Sequence, residues 1–200
     1  MTRRQAAWFW ACLLLLTPST AHAHMMIKGM GPFVNGLLHP LVTIPHLLLL
    51  LGMGALLGQH PPLRLKWPML TFAASSALGL LLSTTGWFPP TMPQPLLLGF
   101  ALVFGVLIAS AYPIPTWLQL TLLGLTALLL GLDSAVDKAI PTGHLQILFG
   151  TWLCLNLAIY NIAFYSAFCD RKKWSQIGLR VLGSWLAAIA VLVLAFALKK

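Results

Sequence analysis

The chain has no glutamate, and its acidic residues are three aspartates, Asp133, Asp137 and Asp170. With 12 Lys and Arg against those three acids the formal net charge is +9, yet charged residues make up only 8% of the sequence and hydrophobic ones 59%. So few charges cannot solvate the surface of a water-soluble domain. Cysteine is scarce as well: Cys12, Cys154 and Cys169 do not form a disulfide framework, and no structural disulfide is expected. Also missing are a glycine-rich phosphate loop, a G-x-S-x-G elbow and an H-E-x-x-H helix. Ser75, Ser76 and Ser166 lie in apolar runs, where a hydroxyl usually bonds the preceding turn or a neighbouring helix. No enzyme activity is expected.

The chain does contain apolar runs. Arg3 and Arg4 precede a short apolar centre, and Ala21-His22-Ala23 follows as a small-x-small site. That order reads as a secretory signal peptide over residues 1–23, cut before His24. The mature chain, residues 24–200, is then one membrane domain. Apolar runs at 33–57, 68–87, 96–112, 117–132, 145–168 and 177–198 are each long enough to cross ~30 Å of hydrocarbon. The expected fold is all-α, a six-helix transmembrane bundle. Proline-rich turns separate the second run from the third (88–95) and the third from the fourth (113–115).

Basic residues cluster at the ends of these runs, which points to a lipid bilayer and away from nucleic acid. Arg64 with Lys66, and Arg171 with Lys172 and Lys173, mark cytoplasmic loops. The 133–143 connector and His24 then lie outside, in a plasma or inner membrane. Lys199 and Lys200 also fall outside, a mild exception.

The first run carries two imidazoles, His39 and His46, with Pro40 and Pro45 beside them. Seven residues is nearly two helical turns, which sets both rings on one face of a continuous helix roughly 10 Å apart. At that distance the two are successive stations on a path and not joint ligands of one ion. Each proline should bend the helix and free a carbonyl that needs another partner. A titratable group at membrane depth marks a functional site, although hydrogen bonding to a freed carbonyl would account for either histidine equally well. At the outer surface His24, Asp133, Asp137 and His144 are the candidates for an ion vestibule above His39. Asp133 and Asp137, four apart, share a face if that segment is helical. His24, Met25, Met26 and Met30 offer imidazole and thioether donors, which suit copper.

Phe33-x-x-Gly36-x-x-His39-Pro40 followed by His46-Leu47-Leu48 resembles the signature helix of the HupE/UreJ family of hydrogenase and urease accessory membrane proteins. The family pattern runs F-x-x-G-x-x-H-P-x-x-G-x-D-H-L-L. Thr43 stands at its second glycine and Pro45 at its aspartate, so the carboxylate next to His46 is gone. The family's second motif, of the type F-H-G-x-A-H-G-x-E, falls on residues 129–137, where both histidines are missing and Asp137 stands near the acid. A further family histidine falls near Leu155 and Asn156, with Asn161 the other polar residue in that run. His22 and His24 resemble the family's His-rich start.

The resemblance implies a permease for nickel, or for cobalt or another similar divalent ion. It has no permanently bound cofactor, and His39 and His46 are the transient ligands with His24 as outer capture site. Alternatives are a non-transporting membrane accessory that meets metalloenzyme assembly proteins, and a copper-handling protein.

Overall fold

A computed structural model describes residues 29–59, 63–134, 143–169 and 172–198. The described residues form seven α-helices: α1 (Pro32–Val42), α2 (Ile44–Gly58), α3 (Lys66–Thr85), α4 (Gln94–Ser110), α5 (Thr116–Asp133), α6 (His144–Cys169) and α7 (Lys173–Leu198). No strand occurs among them. The fold is all-α. Four helices (α3, α5, α6 and α7) are long and apolar enough to cross a membrane, and five spans result if the bent pair α1–α2 counts as one. The apolar α4, with 17 residues, is shorter than those four.

The 33–57 run is not one helix. It breaks at Thr43, whose backbone is extended (φ −89°, ψ 108°), and α1 meets α2 at 72°. The prolines explain both the break and how it is satisfied. Pro40 has no N–H for the Gly36 carbonyl four residues back, and the Thr151 hydroxyl of α6 donates to that carbonyl at 3.0 Å. The His39 carbonyl at the end of α1 accepts from the Thr43 backbone N–H at 3.2 Å and from its hydroxyl at 2.9 Å. Pro45 then sits in the first turn of α2, where a missing N–H costs nothing.

Helix α2 is the axis of the molecule. Its residues from Leu48 to Gly58 are buried except Leu51, so it is apolar all round, as an interior helix must be. Around it pack α6, α4 and, in smaller patches, α7 and α5. Leu49, Leu50 and Met53 meet Phe104, Leu130, Leu155 and Ile159 in one continuous core. The outer helices turn their apolar faces outward instead. Trp174, Trp185, Leu192 and Phe196 on α7, and Phe164 and Phe168 on α6, are exposed, which suits hydrocarbon and not water. This is a multi-pass membrane protein.

Small residues set the helix crossings. Gly105 and Gly183 face each other across α4 and α7, and Gly131 on α5 faces Gly79 on α3. Gly99 and Gly178 face open space. A Cβ on Gly131 would lie 2.5 Å from the Ser76 carbonyl oxygen and 2.7 Å from the Leu80 nitrogen, both backbone atoms that cannot step aside. Gly131→Ala is therefore expected to cost about 1–3 kcal/mol, seen as a lower melting temperature in detergent and less protein in the membrane. Gly99→Ala should be neutral or stabilising, since it adds helix propensity at no steric cost.

The Ser76 hydroxyl donates to the Ala73 carbonyl on its own helix. Cys154 is buried and Cys169 exposed, and both are free thiols. Cys12 lies outside the described residues.

Candidate functional site

The bend changes the relation between the two histidines. On a straight helix their rings would stand far apart; in the folded chain the ring centroids are 5.4 Å apart with the planes nearly perpendicular, at 80°. The extended Thr43 turns α1 back over the start of α2, so His39 in the last turn of α1 reaches the first turn of α2. The rings are much closer than a continuous helix would set them, which corrects the expected spacing.

His46 is fully buried. Its Nε2 lies 2.7 Å from Oδ2 of Asp133, the last residue of α5 and 87 positions away in sequence. With the Asp133 carboxylate as acceptor, Nε2 is assigned the proton and donates. In the neutral ring the lone pair is then on Nδ1, which is buried and has no hydrogen-bond partner in the structure. The other carboxylate oxygen, Oδ1, accepts from the Met92 backbone N–H at 2.6 Å. Asp133 thus ties the proline-rich segment between α3 and α4 to the head of α2. It is 5% exposed, part of the helix and the core; sequence placed it at the start of a polar connector.

This arrangement is a carboxylate–histidine unit with a vacant ring nitrogen. Where imidazole binds a metal, its second ring nitrogen commonly donates to a carboxylate, which fixes the tautomer and raises the basicity of the ligating nitrogen. Asp133 therefore sets a carboxylate beside His46 from another helix, where Pro45 provides none. Its position in the second motif is the alanine of the family pattern, so alignment alone passes over it. The Met92 N–H leaves no trace in composition, because any residue but proline has one.

Other candidates are placed differently. His144 opens α6 and is half-buried. Asn156 and Asn161 each donate to a carbonyl four residues back on α6 (Trp152 at 2.8 Å, Leu157 at 2.7 Å) and so serve their own helix. His24, Met25, Met26 and Asp137 lie outside the described residues. Among the described residues no group of three or more His, Cys, Asp or Glu side chains is arranged to hold a metal ion. Met30 is exposed.

An open cavity of about 800 Å³ reaches the site from one end of the bundle. Its walls come from Thr43 and Pro45 at the head of α2, the 89–95 segment, Leu97, Asp133, and Val193, Phe196 and Ala197 at the end of α7. The far end of α2 is closed by a different pair of contacts. Gln59 donates to the Ile108 carbonyl at 2.8 Å and Arg180 to the Ala109 carbonyl at 3.0 Å, which satisfies the last turn of α4. Between the two ends α2 is packed dry by leucine.

The model of the family described as HupE / UreJ protein matches residues 12–193, most of the chain. No curated protein and no solved structure matches.

Proposed function

The chain belongs to the HupE/UreJ family, and from that membership and the geometry at His46 we propose that it is an inner-membrane permease for nickel or a similar divalent ion, supplying hydrogenase or urease assembly. One observation carries the reading: a fully buried imidazole whose Nε2 is held by a carboxylate and whose Nδ1 is left without a partner, 5.4 Å from a second imidazole ring. A buried ring nitrogen with no partner is the exception among buried polar groups. A resident metal would need a fuller donor set, whereas cargo must leave again, and sites of few ligands allow that.

In this reading His39 and His46 hold the ion together in passing, and Asp133 orients His46. The span α1–α2, the helix α4 and the four longer helices make six crossings, with the mature N-terminus outside after loss of residues 1–23. The contacts support alternation. Residues 43–46, 92 and 133 meet at one end of the bundle, and residues 59, 108, 109 and 180 at the other. The first end carries the cavity and is the outer one; the second carries Arg64 and Lys66 and is cytoplasmic. His24 is the outer capture site, with Asp137 and His144 near the mouth.

Reconstituted vesicles test this. Radioactive nickel is expected to accumulate faster than in protein-free vesicles, and uptake no faster than in those vesicles would overturn the permease. Nickel held tightly by the purified protein with no vesicle uptake would instead establish the second reading, a non-transporting accessory in metalloenzyme assembly. The dry packing of α2 beneath His46 favours that reading.

A further inference from the structure

The cavity is too large for a bare ion. At ~30 Å³ per water, an ion with six waters fills roughly 180 Å³. The cavity holds about 800 Å³, and its walls are mostly proline, methionine and aliphatic side chains. Such walls offer little to a hydration shell. They suit the carbon skeleton of a small organic molecule.

The protein donors are also too few. Divalent nickel in a nitrogen and oxygen site takes four or more ligands in a square-planar or tetragonal array. Two imidazoles converge here, and no third His, Cys, Asp or Glu joins them among the described residues. Asp133 has both oxygens engaged, one by His46 and one by the Met92 N–H. The side chains of the described residues leave at least two coordination positions open.

Charge narrows the choice. Asp133 is the one charged side chain lining the cavity, and the polar side chains beside it are Thr43, Thr91 and Gln94. An anionic complex would meet a buried negative charge with no cation to offset it. A neutral or cationic complex meets attraction.

Building on the permease reading, we propose that the metal arrives as a neutral or cationic chelate with a small zwitterionic ligand of amino-acid type, seated in the cavity against Asp133. The chelator supplies the missing donors until the ion passes to His46 and His39. Thr43, Pro45 and Asp133 line the cavity beside His46, so the ion passes to the imidazoles at that wall. No bond of the chelator is broken; the ion exchanges one set of nitrogen and oxygen donors for another.

The test uses purified full-length protein with radioactive nickel and carbon-labelled L-histidine, separated from free label by rapid gel filtration. Histidine should be retained only when nickel is present and one-for-one with it, while labelled citrate, which forms anionic complexes, should not be retained. Two variants fill the cavity from opposite walls without touching the imidazoles, Ala197→Trp and Thr91→Trp. Each should weaken histidine retention roughly tenfold or more while nickel binding persists. Nickel retained with no histidine would overturn the chelate and leave the permease reading intact. So would equal histidine retention in both filled variants. Joint retention with no uptake into vesicles would leave the chelate site standing and overturn the permease.

Discussion

His46→Gln is expected to abolish nickel uptake, to background, in cells and in vesicles, while protein abundance in the membrane stays near normal. The glutamine amide can replace the Nε2–H as donor to Asp133, so the buried carboxylate keeps its partner and α5 stays tied to α2. It offers no imidazole lone pair at the Nδ1 position, and a neutral amide is a poor nickel ligand. Function and folding are therefore separated by one substitution. His46→Ala is a poorer test, because it leaves the carboxylate with one partner fewer and should cost about 1–3 kcal/mol of stability. His39→Gln is expected to behave as His46→Gln does, since both rings address the same ion. Normal uptake in both glutamine variants would rule out the ligand role.

Asp133→Asn is expected to reduce uptake by roughly 10–100-fold, the usual cost of removing the carboxylate behind a ligating histidine. The amide oxygen can still accept from either His46 or Met92, so most of the fold should survive. Asp133→Leu removes both acceptors and leaves two buried donors unpaired, and it should lower abundance as well. Adding Pro45→Asp to Asp133→Asn puts the acid back where the family pattern carries it. Position 45 is in the first turn of α2, where a carboxylate is favoured by the helix dipole, so the change is compatible with the fold. Uptake by the double variant should recover several-fold over Asp133→Asn alone. Measured initial rates at equal protein incorporation decide this, and a double variant no faster than the single one would show that position 45 cannot substitute for position 133.

Much of the fold was legible because membrane helices are written in long apolar runs with charges at their ends. All-α architecture, the membrane setting and the family all followed from that pattern and from the residues around His39. Pro40 and Pro45 announced a bend. Its size was not readable: whether two prolines five apart give a shallow kink or a 72° break depends on Thr43 adopting an extended backbone and on Thr151 of α6 meeting the freed Gly36 carbonyl. The convergence of the two rings follows from that angle, so spacing along an ideal helix misjudged it.

Asp133 was visible as one of three acids, but its partner was not. Side-chain pairing across 87 residues is decided by how α5 crosses α2, and that crossing depends on the close approach of Gly131 to α3. One signal did exist: Asp133 ends an apolar run two residues after a glycine, where a carboxylate has little water and needs a donor.

The most direct measurement is X-ray absorption at the nickel edge on purified protein at saturating nickel, wild type beside His46→Gln. Scattering characteristic of two imidazole rings is expected in the wild type and of one fewer in the variant, with no protein carboxylate bound directly to the ion. Identical spectra from the two proteins would contradict it, because the ion would then sit somewhere other than at His46.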